Sequence, residues 1–219
     1  MSGNPDRRGR FITLEGGEGA GKSTHARLLA DHLKARGLSV LLTREPGGAP
    51  GAEEIRRLLV SGEPGRWTPM TEALLHSAAR AEHVARLIAP ALAEGRWVVC
   101  DRFADSTMAY QGYGHGLGCE TVAALNALVT RSCCPDLTLI LDLPVADGLA
   151  RARAREGDNS AGEDRYERMN HDFHERLREG YLEIARAEPG RCVVIDARDT
   201  VEAVQAAIRA AAAERLDVS

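Results

Sequence analysis

The sequence predicts an α/β fold in which one five-stranded parallel sheet carries helices on both faces. Short apolar runs alternate along the chain with longer amphipathic stretches of helical period, an order typical of strand–helix–strand units. The run Leu137–Leu141 is almost wholly apolar, as expected of a parallel strand covered on both faces. A glycine-rich loop separates the first strand from the first helix. These three observations predict the fold class.

That loop fits the phosphate-binding pattern G-x-x-x-x-G-K-[ST]. Its glycines allow the backbone to turn several N–H groups toward an anion, and the helix that follows adds its positive dipole end. The lysine then reaches the outer phosphates, and the serine hydroxyl is a ligand for Mg²⁺. The loop predicts a three-layer P-loop NTPase fold that binds a nucleoside triphosphate with Mg²⁺. Its residues are Gly16, Gly17, Glu18, Gly19, Ala20, Gly21, Lys22 and Ser23, with Thr24 following.

Each predicted strand is a short apolar run bounded by polar or turn-forming residues. The strands are expected at Phe11–Leu14, Ser39–Leu42, Trp97–Cys100, Leu137–Leu141 and Cys192–Ile195.

The predicted helices follow from apolar residues at helical spacing. Leu29 and Leu33 give the first helix a core face, and Gly37 is expected to end it. Pro90 is expected to bend or interrupt the third helix. A glycine-rich loop is predicted over Gly112–Gly118. The helices are expected near Lys22–Arg36, Ala52–Val60, Thr71–Glu94, Ser106–Gln111, Glu120–Thr130, from Val145, Asp164–Ala187 and Thr200–Leu216.

No internal repeat or linker divides the chain, so residues 11–219 are expected to form a single domain. Residues 1–10 are polar and basic without a hydrophobic core, which indicates a flexible tail rather than a signal peptide. Glu156–Glu163 is polar and contains two glycines, so a mobile loop is expected there. Together with the preceding arginines it predicts a short lid at about residues 151–165.

Composition limits the classes of partner. The net charge of −4 over 219 residues gives no reason to expect a nucleic-acid-binding face, and no apolar run is long enough to span a membrane. Five cysteines without a C-x-x-C arrangement indicate free thiols in a reducing compartment. The sequence therefore predicts a cytoplasmic protein.

The P-loop alone leaves a switch GTPase, a mechanical ATPase and a small-molecule kinase open. The chain lacks an N-K-x-D segment for reading guanine, and Asp142 after the fourth strand is followed by Leu143 rather than by a glutamate. Arginines stand instead at two strand ends, Arg44 and Arg102, and in the group Arg151, Arg153, Arg155 and Arg165. A second anionic substrate and a transferring phosphoryl group both require such cations. This pattern favours a kinase.

The chain resembles the bacterial thymidylate kinases over about residues 11–206. The resemblance rests on the segments L-E-G-G-E-G-A-G-K-S (residues 14–23), T-R-E-P-G-G (43–48), Ala79-Arg80, D-R-F (101–103), S-T-M-A-Y-Q-G (106–112) and P-D-L-T-L (135–139). It implies ATP-dependent phosphorylation of dTMP to dTDP, in dTTP biosynthesis, by a homodimer that needs Mg²⁺.

The resemblance also implies residue roles. Glu18 would accept a hydrogen bond from the 3′-hydroxyl of dTMP, Arg80 would donate to a thymine carbonyl, and Asp101 would orient either Arg102 or a metal-bound water. Arg44 and Arg102 would hold the 5′-phosphate, a task for which bidentate guanidinium is suited. The alternatives are a solvent-facing loop position for Glu18, structural ion pairs for Arg44 and Arg102, and a core position for Tyr110. The remaining pocket residues would be Ser106, Thr107, Tyr110 and Gln111.

Two positions separate this chain from parts of the family. His76 stands where relatives place a Phe or Tyr that stacks on the base. Gly19 stands where eukaryotic relatives carry a catalytic arginine, so the resemblance implies that the lid supplies that group. Position within the run favours Arg155, with Arg153 second.

Two rival functions remain. A deoxynucleoside kinase of the same fold would need a carboxylate base for a neutral 5′-hydroxyl, whereas Arg44 in T-R-E-P-G-G favours a phosphorylated acceptor. A catalytically silent nucleotide sensor would not need Lys22, Ser23 and the lid arginines together.

Overall fold

The computed structural model describes residues 8–131, 133–159 and 165–216. Five parallel strands form one sheet in the order β2-β3-β1-β4-β5. The strands are β1 (Phe11–Glu15), β2 (Val40–Arg44), β3 (Trp97–Asp101), β4 (Leu137–Asp142) and β5 (Cys192–Asp196). Each predicted strand is confirmed, and each differs from its prediction by no more than two residues at either end.

Helices cover both faces of the sheet, as predicted. They are α1 (Lys22–Ala35), α2 (Pro50–Val60), α3 (Pro69–His83), α4 (Ala89–Ala93), α5 (Ala104–Thr107), α6 (Cys119–Thr130), α7 (Val145–Asn159), α8 (His171–Ala187) and α9 (Val201–Leu216). Wider π-helical turns occupy Val84–Ile88 and Met108–Gly114.

Separate apolar clusters cover the two faces of the sheet. On one face Leu29 and Leu33 of α1 and Ile208 of α9 pack against the central strands. On the other face, Phe11 and Ile88 belong to one cluster. A further cluster there joins Ile140 to the apolar side of α8. The sheet is therefore the middle layer of three, and the carboxyl ends of its strands share one edge.

Local sequence explains several boundaries. Thr68 caps α3 by accepting a hydrogen bond from the N–H of Thr71, and Asn170 caps α8 by accepting one from Phe173. Gly37 has φ +83° directly after the first helix, as predicted. The predicted interruption near Pro90 is also present, because the π-helical turn Val84–Ile88 precedes α4.

Three predicted segments are wrong in part. The loop predicted over Gly112–Gly118 is helical up to Gly114, because the π-helical turn packs against α8 and buries Gly112 and Gly114. Helix α7 continues through Asn159, where the mobile loop Glu156–Glu163 was expected, and residues 160–164 lie outside the described part. The helix predicted from Asp164 begins only at His171, since Asn170 caps it there.

The predicted tail also has contacts at its end. The N–H of Gly9 donates to the carbonyl of Leu92, and Arg10 pairs with Asp136 at 3.2 Å. The prediction of a loose tail thus applies only to residues 1–7, which lie outside the described part. Within the described ranges, no helix has the length and apolar character needed to cross a bilayer.

Candidate active site

Three of the four glycines of the P-loop cannot be replaced by another residue without strain. Gly16, Gly19 and Gly21 have φ of +137°, +70° and +88°. A Cβ on Gly19 would lie 2.0 Å from the carbonyl oxygen of Gly148 in α7, and one on Gly16 would lie 2.5 Å from that of Leu141. The loop is therefore clamped between the end of β4 and the start of α7.

Lys22 is held inside this loop. Its ammonium group donates to the carbonyl of Gly17 at 2.6 Å, and the side chain is buried. Burial, with the charge of Arg102 added, lowers the pKa of Lys22 to about 8. The ammonium group thus lies where the phosphate oxygens of a ligand bound by the loop would be.

Ser23 and Asp101 bring the end of β3 against the start of α1. The hydroxyl of Ser23 donates to Oδ2 of Asp101, whereas Oδ1 of Asp101 is buried without a hydrogen-bond partner among the described residues. A hydroxyl beside a carboxylate oxygen that lacks a donor is a hard-oxygen set suited to Mg²⁺. The residues present therefore fit the metal that the sequence predicts.

A cavity of about 340 Å³ extends from the loop across the carboxyl edge of the sheet. Its size suits a small-molecule ligand. The structure brings all the predicted substrate-binding residues to its lining. These are Glu18, Arg44, His76, Arg80, Arg102, Ser106, Thr107, Tyr110 and Gln111, alongside Gly19, Gly21, Lys22, Ser23 and Asp101.

Arg102 crosses the floor of the cavity toward the loop. It adopts φ +69°, an uncommon conformation for a residue with a side chain. Its guanidinium donates to Oε1 of Glu18 at 3.0 Å and to the carbonyl of Gly16 at 3.2 Å, and it lies 5.1 Å from the ring centre of Tyr110. Burial alone would raise the pKa of Glu18, but Arg102, Lys22 and the Tyr110 hydroxyl lower it to about 2. Glu18 is therefore ionised at neutral pH.

Arg80 is almost fully buried at the far end of the cavity. It donates to Oε2 of Glu45 at 2.8 Å, to the carbonyl of Phe103 at 2.9 Å and to the Thr107 hydroxyl at 2.9 Å. The other oxygen of Glu45 lies 2.9 Å from Nδ1 of His83. This network fixes the guanidinium against the predicted base pocket.

Arg44 has a different environment. Both of its terminal nitrogens donate to the carboxylate of Glu53 at 3.1 Å, and the side chain is about half exposed. Oε1 of Glu53 also accepts from the N–H of Gly48 at 2.8 Å. The guanidinium thus lies at the rim of the cavity, held by a carboxylate from α2.

Tyr166 is a cavity residue that sequence reasoning missed. Its hydroxyl lies 2.8 Å from Nε2 of His76, and its ring meets that of Tyr110 edge-on at 5.2 Å. Burial lowers the pKa of His76 to about 4, so its imidazole is neutral at pH 7. The sequence predicted a helix from Asp164, and a position within a helical pattern gave no reason to place Tyr166 in the lining of the cavity.

The arginines predicted for the lid have different surroundings in the structure. Arg165, predicted within the lid group, is instead buried and forms an ion pair with Glu72, so it does not face the phosphates. Arg151 donates to the carbonyls of Ala197 and Arg198. Arg153 is exposed on α7 outside the cavity lining, and the side chain of Arg155 lies outside the described part.

A P-loop on one side of a cavity and arginines on the other supply separate sites for two anions. A doubly covered parallel sheet carries both at its carboxyl edge, where α/β folds bind ligands. The fold and site together define a P-loop kinase.

Comparison with known proteins narrows this class. The sequence model of the family described as thymidylate kinase matches residues 14–208. The chain belongs to the thymidylate kinase family, as its resemblance predicted.

Individual relatives agree with this assignment. A thymidylate kinase of Caulobacter vibrioides is 57% identical over 209 residues, covering 95% of this chain and 98% of the relative. One from Geobacter sulfurreducens is 51% identical, covering 91% and 94%. The crystal structure of thymidylate kinase from Ehrlichia chaffeensis superimposes with a TM-score of 0.73 at 35% identity, over 93% of this chain and 98% of that one. This structural likeness confirms the predicted three-layer fold.

Proposed function

We propose that this chain catalyses the ATP-dependent phosphorylation of dTMP to dTDP, in dTTP biosynthesis. Membership of the thymidylate kinase family supports this activity. The observation that carries it in the structure is one cavity lined both by the P-loop lysine and by Arg44, Arg80 and Arg102. A phosphoryl donor and a phosphorylated acceptor need these two sets of cations facing each other.

The donor half of the proposal centres on the loop. ATP is expected to lie with its β- and γ-phosphates against the N–H groups of residues 16–24 and the ammonium group of Lys22. We assign Mg²⁺ to Ser23 and Asp101, and support comes from the buried carboxylate oxygen of Asp101 that lacks a donor. The metal, when bound, neutralises charge on the ATP oxygens.

The acceptor half occupies the rest of the cavity. Arg44 and Arg102 are assigned to the 5′-phosphate of dTMP and Arg80 to a thymine carbonyl, while the ionised Glu18 accepts from the 3′-hydroxyl. We assign His76 and Tyr166 to the walls beside the base. Ser106, Thr107, Tyr110 and Gln111 complete the pocket.

The reaction requires little proton chemistry. The attacking group is a phosphate oxygen of dTMP, which is already anionic at neutral pH, so no strong general base is needed. Catalysis then consists of alignment of the two phosphates and neutralisation of the charge that develops between them. Lys22, Arg102 and one lid arginine supply the cations, with Arg155 favoured over Arg153.

Two further assignments accompany the activity. A homodimer is supported by the apolar exposed side of α6, where Leu128 is 74% exposed beside Ala124 and Ala127. Light scattering should give twice the monomer mass for the wild type, and Leu128→Glu should lower it, whereas Val201→Glu on α9 should not. A cytoplasmic location is supported by five free cysteines.

The activity is tested by ADP release with ATP and Mg²⁺ against dTMP, dUMP, dCMP, AMP and thymidine. Strong turnover with dTMP, weak turnover with dUMP and none with thymidine is expected. Turnover with thymidine but not dTMP would move the chain to the nucleoside kinases. Binding of ATP without turnover of any acceptor would indicate a nucleotide sensor.

The lid assignment has its own test. Removal of a guanidinium that contacts only the transition state lowers kcat by roughly 10³-fold or more with little change in KM. Arg155→Met should show this loss, Arg153→Met a smaller one, and Arg151→Met a change in stability alone. Unchanged kcat in both Arg155→Met and Arg153→Met would remove the lid from the mechanism.

A further inference from the structure

Glu15 is a buried carboxylate to which the mechanism above gives no role, although it stands in a segment that carries the family resemblance. It ends β1, directly before the P-loop, and its side chain has no exposure. Burial of an ionisable carboxyl group without hydrogen bonds costs several kcal/mol. Its retention in the core therefore calls for specific partners.

Those partners all come from the segment around Arg102 and from α8. Oε1 accepts from the N–H of Phe103 at 2.7 Å, and Oε2 accepts from the hydroxyls of Ser106 at 2.6 Å and Tyr181 at 3.3 Å. The two hydroxyls also lie 2.9 Å from each other. Glu15 thus joins the start of the P-loop to the turn after β3.

This turn holds Arg102 in its left-handed conformation. The N–H of Arg102 donates to the carbonyl of Leu14 at 3.0 Å, and the next N–H, of Phe103, donates to Glu15. Two bonds from adjacent residues of β1 therefore flank the strained residue, whose conformation costs about 1–2 kcal/mol. The same hydroxyls that donate to Glu15 lie 3.4 Å from Nη1 of Arg102.

We propose that Glu15 is a positioning residue that acts through Arg102, holding its guanidinium at the site of the acceptor phosphate. The inference rests on the proposed function, because it assigns Arg102 to dTMP. Glu15 touches neither substrate, and its effect passes through the turn at residues 102–106. Glu15 thereby adds to the contacts that hold the acceptor site at a fixed distance from the P-loop.

The charged groups around Glu15 predict a pH dependence. Burial, with the like charge of Asp105 added, raises the pKa of Glu15 to about 7, although Ser106, Arg102 and the N–H of Phe103 oppose the rise. As pH falls through 7, the protonated group loses an acceptor position for this turn. Alignment of Arg102 should therefore weaken on the acid side.

A double-mutant cycle with Glu15→Gln and Arg102→Gln tests the proposal. Glu15→Gln keeps the shape and one acceptor oxygen, and should lower kcat/KM for dTMP by about 10- to 100-fold, the loss typical of a misplaced catalytic group. The KM for ATP should stay within about twofold. In the Arg102→Gln background the same change should cost almost nothing, because the residue through which it acts is gone.

The pH profile supplies a readout that a purely structural role would not move. The ratio of wild-type to Glu15→Gln kcat/KM cancels the ionisation of dTMP itself and should decline below pH 7. Asp105→Asn is the matched control: its carboxylate pairs with Arg191 at 2.7 Å and does not contact Arg102. The pH profile of Asp105→Asn should keep the inflection but show it at lower pH, because the variant removes the negative charge that raises the pKa of Glu15.

The outcomes separate the two proposals. The positioning role would be overturned if the losses of kcat/KM in Glu15→Gln and Arg102→Gln were additive in the double variant. It would also be overturned if the ratio of wild-type to Glu15→Gln kcat/KM did not depend on pH. If Arg102→Gln lowers kcat/KM for dTMP and Glu15→Gln does not, the positioning role is overturned and the proposed function stays intact. No effect of Arg102→Gln on dTMP would overturn both. If Glu15→Gln fails to fold, Glu15→Asp, which keeps the charge but withdraws it by one methylene, is used in the same cycle.

Discussion

The guanidinium of Arg102 lies 3.0 Å from Oε1 of Glu18, so the end of β3 and the P-loop are joined across the floor of the cavity. The hydroxyl of Tyr110 donates to the same oxygen at 2.5 Å. The carboxylate of Glu18 therefore accepts hydrogen bonds from both Arg102 and Tyr110, which also line the cavity. The sugar of the acceptor is expected to meet this group.

Glu18→Gln should remove selectivity for the 3′-hydroxyl. A hydrogen bond to a charged acceptor contributes about 1.5–3 kcal/mol, which corresponds to a factor of about 10 to 150. The wild type should prefer dTMP over 3′-deoxy-dTMP by about this factor in kcat/KM, and Glu18→Gln should show little preference. Equal preference in the two proteins would remove Glu18 from the sugar site.

His76→Ala should weaken binding of dTMP. Stacking of a base on an aromatic side chain contributes about 1–3 kcal/mol per base, so KM for dTMP should rise by about 5- to 150-fold. His76→Phe should keep KM near or below that of the wild type, because a benzyl ring stacks although it cannot bond to Tyr166. If alanine and histidine give the same KM, the imidazole does not contact the base.

Gly19→Ala and Gly17→Ala form a matched pair within the loop. Gly19 has φ +70°, and a Cβ added to it would collide with the carbonyl oxygen of Gly148. A Cβ added to Gly17 would meet nothing within 4 Å among the described residues. Gly19→Ala should therefore raise KM for ATP at least tenfold and destabilise the fold by about 1–3 kcal/mol. Gly17→Ala should change both far less. Similar losses in the two variants would show that glycine is needed throughout the loop for another reason.

The ion pair between Glu72 and Arg165 should make unfolding sensitive to acid. Burial alone would raise the pKa of Glu72, but His115, whose Nε2 lies 3.2 Å from Oε1, and the paired guanidinium of Arg165 lower it to about 2. A depressed carboxyl pKa stabilises the fold fully above its unfolded value of 4.5, and this stabilisation is lost as pH falls from there toward 2.

Urea unfolding at pH 6 and at pH 2.5 measures this loss. The free energy of unfolding should fall by about 2 kcal/mol more in the wild type than in Glu72→Gln, which cannot titrate. Arg165→Met should cost about 3–5 kcal/mol at pH 6, because it leaves a buried carboxylate unpaired. Equal acid sensitivity of the wild type and Glu72→Gln would contradict the assignment.

Much of the fold could be predicted because its signals are local. The apolar run at Leu137–Leu141 and the glycines of the loop each fix a strand or a turn through properties of adjacent residues. The cleft residues could be placed because Arg44 and Arg102 follow parallel strands, whose carboxyl ends meet at one edge.

The remaining features depend on contacts distant in sequence. Arg165 resembles a lid arginine in sequence, and only the carboxylate of Glu72, 93 residues away, shows that it is buried. Tyr166 reaches His76 only because α8 begins seven residues later than its pattern indicates. Likewise, Met108–Gly114 becomes helical through packing on α8, which outweighs its glycines.

The bidentate contact of Arg44 with Glu53 has a consequence for selection among acceptors. This guanidinium already has a counter-ion in Glu53, so a ligand gains contact with Arg44 only by exchanging places with the carboxylate. A dianionic phosphate offers an equivalent replacement, whereas a neutral nucleoside offers none and would leave the existing pair intact. With Arg44 assigned to the acceptor phosphate as proposed, the rim of the cavity would select ligands by exchange of one anion for another before any base or sugar is recognised.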